Sequence, residues 1–268
     1  MKVGSIQMKV SSSKEENLRK AEKLCRDFQG RGTDLLILPE MFNCPYEVDH
    51  FSEFAEPIPG PSTERLALVA RDMGIYLIGG SIPERSDDQI FNTSPVFDPE
   101  GNLIGKHRKI HLFDVNIPDG ITFRESDSLA AGDCPTVIDT ELGTLGLAIC
   151  YDLRFPELIR TMTLANAKII VFPAAFNTTT GPAHWKTLLR ARAIDNQVFV
   201  FAVSPARNPE SSYRAYGHSM SINPWGKILK EGGHSETTFS VEIDLQQVRE
   251  IRRELPVLSH RRPELYEE

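Results

Sequence analysis

The chain has 268 residues, 40% hydrophobic and 25% charged, the composition of a water-soluble globular protein long enough for one large core. Its 30 Lys and Arg stand against 37 Asp and Glu, a formal net charge of −7, which argues against nucleic acid or an anionic membrane as partner. No stretch reads as a signal core or as a membrane span of ~20 apolar residues, and the four cysteines are scattered without a C-x-x-C pair, so the expectation is a reduced, cytoplasmic protein with no zinc knuckle or disulfide framework.

The first element is an apolar strand, "KVGSIQM". In "SSSKEENLRKAEKLCRDFQGRG", Ser13 and Glu16 have capping-box spacing. Leu18, Ala21, Leu24, Cys25 and Phe28 then recur at helical period, and Gly30 ends the helix. "DLLILPE" is an unbroken apolar run, the pattern of a strand buried on both faces. "STERLALVARDMG" reads as a helix and "IYLIGGSIPE" as one strand. "IFNTSPVFDPEGNLIGKHRKI" reads as two strands around a turn. Lys109 to Gly132 has weak periodicity and reads as a long, functional loop. Next come a strand, "GTLGLAIC", a helix, "FPELIRTMTLANA", and a strand, "KIIVFPAAF". "GPAHWKTLLRARAIDNQ" is a helix, "VFVFAVSPA" a strand, "GHSMSINPWGKILKEGG" a hairpin, "TTFSVEID" a strand and "LQQVREIRREL" a last helix. Alternating βα units with hairpins predict an α/β protein, one domain over residues 1–268 with helices outside a sheet core.

Reactive groups in α/β folds collect where strands end. Three segments carry unusual polar residues there: "LLILPE" ends in Glu40, "LIGKHRKIHLFD" carries Lys109, and "LGLAIC" ends in Cys150 before a turn and a helix start. A helix N-terminus lowers a thiol pKa, which suits a nucleophile. A cysteine nucleophile also needs a base, oxyanion donors and a shaped pocket. Glu40 can be the base and Lys109 can face the oxyanion, while Glu125 in "TFRES" offers a second carboxylate. Each has a plainer reading. Cys150 can simply pack in the core, Glu40 can cap a turn, and Lys109 can belong to a solvated basic edge. A Cys–His pair is a further option. His107 and His111 lie in a strand-like segment that separates their side chains, so no metal site is expected there. Spacing alone leaves these alternatives open.

In order along the chain, "LPEMF", "HRKIHLFD" and "GLAICYDLRFPEL" resemble the glutamate, lysine and cysteine motifs of the nitrilase superfamily of carbon–nitrogen hydrolases. The resemblance extends from "VGSIQM" to "RRPELY". Within the superfamily "FNCPYE", "KIHLFDVNIPDGITFRES", "AFNTTTGPAHW", "DNQVFVFAVSPAR" and "NPWGKIL" are similar to the omega-amidase branch. "CYDLRFPEL", "LLRARAI" and "LPVLSHRRPELY" are also similar to the branch acting on deaminated glutathione.

The resemblance implies a four-layer αββα sandwich, a homodimer, no cofactor and no metal. It implies a catalytic set of Glu40, Lys109 and Cys150 with Glu125 in support, and the Tyr151 backbone N–H as second oxyanion donor. The implied substrate is a short ω-amido dicarboxylic acid such as 2-oxoglutaramate, hydrolysed through a thioester. An acidic protein then needs a local site for the distal carboxylate. Tyr46, Arg154, Thr179 and the backbone near Phe176 are the expected residues, unless Arg154 is spent on an ion pair with Asp152 or Glu157. His184 and Trp185 are expected to pack. The remaining readings are a nitrilase, carbamoylase or deaminated-glutathione amidase on the same fold, or a catalytically silent binding protein.

Overall fold

A computed structural model describes residues 1–118 and 120–266. Its strands are β1 (Lys2–Gln7), β2 (Leu35–Ile37), β3 (Tyr76–Ile78), β4 (Ile82–Ser86), β5 (Gln89–Phe97), β6 (Leu103–Arg108), β7 (Asp114–Asn116), β8 (Thr122–Arg124), β9 (Thr136–Thr140), β10 (Gly143–Leu147), β11 (Ile169–Pro173), β12 (Phe199–Val203), β13 (Met220–Ile222), β14 (Ile228–Glu231) and β15 (Thr237–Glu242). The helices are α1 (Lys14–Arg26), α2 (Val48–Phe54), α3 (Pro61–Met73), α4 (Pro156–Leu164), α5 (Gly181–Asn196) and α6 (Gln246–Glu254).

Two mixed sheets form. One runs β15-β1-β2-β3-β5-β4, with β6 also paired to β5; the other runs β14-β13-β12-β11-β10-β9. At the heart of each, three strands are parallel: β1, β2 and β3 in the first sheet, β10, β11 and β12 in the second. Alternation along these strands builds the layers. Leu35, Ile37, Ile169, Val171, Phe199 and Phe201 point between the sheets and pack together. Leu36 and Leu38 face α1 and α3 on the other side of the first sheet. Ile170 and Phe172 face α4 and α5 outside the second. The result is the αββα sandwich implied by the family resemblance, and it explains why these strands lack a polar face.

Several expectations are refined. Ser13 Oγ accepts the Glu16 N–H at 3.3 Å and so caps α1, but the Glu16 carboxylate turns to Ser11 Oγ instead of completing the box. "IYLIGGSIPE" is two strands, not one. Gly80 has φ 58°, and a Cβ there would lie 2.1 Å from the Pro39 carbonyl oxygen, so the chain breaks direction beside the Glu40 turn. The 109–132 segment is not a bare loop. It holds the β7–β8 hairpin and a 3-10 turn, Glu125–Asp127. Helix α2 and strand β9 lie in stretches to which the sequence assigned no element.

Because Phe201 is fully buried between the sheets, truncating it leaves a cavity that two rigid sheets cannot close. Phe201→Ala is expected to cost about 3–5 kcal/mol of unfolding free energy. Urea titration checks this; a loss below about 1 kcal/mol would mean the inter-sheet core is not packed as described.

Candidate active site

The parallel strands of both sheets deliver their ends to one edge. Glu40 follows β2, Cys150 follows β10, Ala175 follows β11, and Lys109 directly follows β6. Glu40, Lys109 and Glu125 are fully buried, and Cys150 nearly so. Lys109 Nζ lies 3.1 Å from Glu40 Oε1 and 2.8 Å from the Glu125 carboxylate. It also donates to Tyr46 Oη at 3.1 Å. Tyr46 in turn donates to Glu125 Oε1 at 2.6 Å and approaches Glu40 Oε1 at 3.3 Å. Two further donors complete Glu40: Asn92 Nδ2 at 2.8 Å, and the Ala175 N–H on Oε2 at 2.6 Å, a bond that joins the two sheets. The Phe113 N–H holds Glu125 Oε2 at 2.6 Å.

Burial sets the protonation states. Loss of solvent raises the Glu40 carboxyl above its ordinary range, and the nearby Lys109 ammonium only partly offsets it. Burial opposes the Lys109 charge, but Glu125 and Glu40 outweigh it and the ammonium is strongly held. The Cys150 thiol is pushed well up, first by burial and then by the Glu40 charge. This reverses the lowered thiol pKa read from the sequence. Cys150 opens a 3-10 turn, Cys150–Arg154, and α4 starts only at Pro156, so no α-helical N-terminus faces the sulfur. Cys150 instead sits at φ 48°, a left-handed conformation that points to a strained, positioned turn. The Tyr151 N–H donates to no backbone or side-chain acceptor among the described residues.

A cavity of about 10 Å³ lies against the thiol, lined by Phe113, Cys150, Tyr151, Arg154, Phe176, Thr180 and Tyr213. Of the residues expected to hold a distal carboxylate, Arg154 and Phe176 line this cavity. Among the described residues Arg154 has no carboxylate partner. Its guanidinium lies 5.0 Å over the Phe176 ring and 3.2 Å from His184 Nδ1, while Asp152 is taken by His107 and His111. Thr179 is exposed and does not line this cavity; its neighbour Thr180 does. Tyr46 belongs to the charged cluster rather than to the thiol cavity. Trp185 packs, as expected, with Nε1 on the His218 carbonyl, whereas His184 is exposed beside Arg154. A larger hollow of about 360 Å³ opens on the Glu40 side, lined in part by Tyr46, Ala175, Tyr213, Glu47, His50 and Glu210. Among the described residues, no group of three His, Cys, Asp or Glu is arranged to hold a metal ion.

The carbon–nitrogen hydrolase family matches residues 2–253. The chain belongs to this family. It is 49% identical over 97% of its length to the omega-amidase NIT2 of Xenopus tropicalis, covering 95% of that protein. It is 47% identical to omega-amidase NIT2 of Homo sapiens, covering 97% of this chain and 95% of the human one. Among solved structures, Saccharomyces cerevisiae Nit3, a member of branch 10 of the nitrilase superfamily, aligns with TM-score 0.89 at 41% identity over 98% of this chain and 96% of its own. The carbon–nitrogen hydrolase fold and an amidohydrolase activity on C–N bonds follow.

Sequence reasoning missed Asn92, Thr180 and Tyr213. Asn92 left one signal: with Thr93 and Ser94 it forms a polar run in the middle of a strand otherwise rich in apolar residues. Tyr213 and Thr180 left none, because only the fold carries them to Cys150.

Since the Glu40 charge raises the thiol pKa and Lys109 lowers it, neutralising Glu40 changes the balance in one direction. Glu40→Gln is expected to move the pH midpoint of Cys150 alkylation by iodoacetamide downward while hydrolysis is lost. An unchanged or higher midpoint would show that Glu40 does not face the thiol.

Proposed function

We propose that this chain is an omega-amidase that hydrolyses the terminal amide of short 2-oxo dicarboxylic monoamides, 2-oxoglutaramate foremost, to the 2-oxo dicarboxylate and ammonia. The observation that carries the reading is a buried thiol whose pKa feels both a buried carboxylate and the buried ammonium paired with it, in a chain 47–49% identical to proteins named omega-amidase.

The residue roles follow from the geometry. Cys150 passes its proton to Glu40 as sulfur bonds to the amide carbon. The raised Glu40 carboxyl is suited to take that proton and to return it. The oxyanion is met by the Lys109 ammonium and the free Tyr151 N–H. Glu40 protonates the departing nitrogen, the C–N bond breaks, ammonia leaves and a thioester remains. Water then gives a proton to Glu40 as its oxygen bonds to the acyl carbon. The thiolate leaves and regains the proton. Glu125 holds Lys109 and Tyr46 in place throughout. The net charge of the buried cluster together with the reacting amide stays constant through these proton transfers, the negative charge passing between Glu40 and the oxyanion.

Arg154 supplies the cation for the distal carboxylate, and Phe176 and Thr180 shape the wall beside it. About 10 Å³ does not hold such a substrate. Binding therefore requires the side chains that line this cavity to move apart.

Residues 1–268 are read as one domain, since β1 and β15 pair the two ends of the chain in one sheet. The assembly is read as a homodimer through α4, the end of α5 and the segment after α6. Leu164, Ile194 and Leu255 are exposed there, and Arg160 Nη1 and Arg252 Nε are buried without partners among the described residues. Among the described residues no helix is long and apolar enough to cross a membrane. Four free cysteines fit a cytoplasmic setting.

Cys150→Ala is expected to lower kcat for ammonia release from 2-oxoglutaramate at least about a thousandfold. Persistence of the wild-type rate would defeat the mechanism. A panel of 2-oxo amides, deaminated glutathione, carbamoyl compounds and nitriles, ranked by kcat/KM, decides the substrate; a nitrile preferred over every amide would sink the assignment. Arg154→Gln is expected to raise KM for 2-oxoglutaramate about tenfold or more, yet leave KM for an uncharged aliphatic amide nearly unchanged. Equal effects on both would remove Arg154 from carboxylate binding.

A further inference from the structure

Asp152 is a fully buried carboxylate with no part in the chemistry above. It gathers four N–H groups. Oδ2 accepts the Ile149 N–H at 2.9 Å and meets His107 Nε2 at 3.1 Å. Oδ1 accepts the His111 N–H at 2.9 Å and meets His111 Nδ1 at 2.7 Å. Ile149 immediately precedes Cys150, and the two histidines stand two residues to either side of Lys109. One carboxylate therefore ties the turn that carries the nucleophile to the segment that carries the ammonium.

The histidines are themselves fixed. His107 is fully buried, with Nδ1 at 2.9 Å from Thr136 Oγ1, and the His111 ring lies flat on Phe155 with centroids 3.5 Å apart. Burial works against the Asp152 charge, yet hydrogen bonds from His107 and His111 hold its carboxyl well below the usual range. It stays an acceptor at any working pH. Cys150 at φ 48° keeps its conformation only while its surroundings compel it, and the hold on the Ile149 N–H is one such constraint.

We propose that Asp152 is a positioning residue: through His107, His111 and the Ile149 N–H it sets the Cys150 thiol and the Tyr151 N–H against the Lys109 ammonium. This rests on the amidase reading of the site. A displacement of about 1 Å between reacting groups can cost about a hundredfold in rate. A purely structural cluster would lower stability and leave turnover per folded molecule intact.

The test compares Asp152→Asn, His111→Ala and His111→Asn with the unaltered enzyme, by ammonia release normalised to folded protein from circular dichroism. Asp152→Asn is expected to lose about 10–100-fold in kcat with KM within about threefold. His111→Ala is expected to lose at least about tenfold, whereas His111→Asn, whose amide N–H stands near the place of Nδ1–H, recovers to within about threefold. Wild-type kcat per folded molecule in Asp152→Asn overturns the proposal. Should that variant not fold, the His111 pair decides: equal kcat in His111→Ala and His111→Asn overturns it. Cys150→Ala is run alongside, and hydrolysis retained there defeats the amidase reading itself, not the Asp152 assignment alone.

Discussion

An ammonium with no exposure to solvent lies between two carboxylates, Glu40 at 3.1 Å and Glu125 at 2.8 Å, and the rest of the site answers to it. A lone buried charge would cost several kcal/mol, so Lys109 is tolerable only because both carboxylates and the Tyr46 hydroxyl surround it. Burial pushes both Glu40 and the thiol toward their protonated forms, the Lys109 ammonium offsets this only in part, and the neighbouring carboxylate charge adds to it. A proton shared between them is the natural consequence. The same balance that makes the cluster affordable in a dry interior equips Glu40 to carry a proton in either direction.

The sandwich exists, from the site's point of view, to bring strand ends together. The three-strand parallel cores of the two sheets end at one edge, and the bond from the Ala175 N–H to Glu40 crosses from one sheet to the other. Side chains held on rigid strand ends cannot drift as loop residues do, which keeps donor and acceptor distances short. Asp152 adds a second brace, within the catalytic edge itself, between the β6 end and the Cys150 turn. The aromatic group of Tyr46, Phe113, Phe123 and Tyr213 roofs this edge and keeps water from the charges beneath.

Much of this was legible in the sequence, but unevenly. Runs such as "LLIL" and "LGLAIC" announce strands buried on both faces, and a charged or nucleophilic residue at the end of such a run stands out. That made Glu40, Lys109 and Cys150 candidates, and the resemblance of their three motifs to one family selected them over the plainer readings. Gly80 hid a break inside "IYLIGGSIPE", because the steric conflict is with Pro39, remote in sequence. The Asp152 carboxylate looked like a partner for Arg154 two residues on; its partners His107 and His111 lie more than forty positions upstream. Thr179 and Thr180 are indistinguishable as letters, and only the backbone direction before α5 decides which one faces the thiol cavity.

The sequence by itself determined the alternation of buried strands with helices and, through its family motifs, the expected reacting groups. Hydrophobic period and strand-end chemistry are local properties, and the three motifs in order carried the family. Only the tertiary structure decided the protonation state of Cys150, the partners of Asp152, the freedom of Arg154 and the places of Asn92, Thr180 and Tyr213. The physical reason is common to all of them. Desolvation and hydrogen-bond geometry depend on what surrounds a group in space, and here the surroundings come from two sheets and a hairpin whose residues are far apart along the chain.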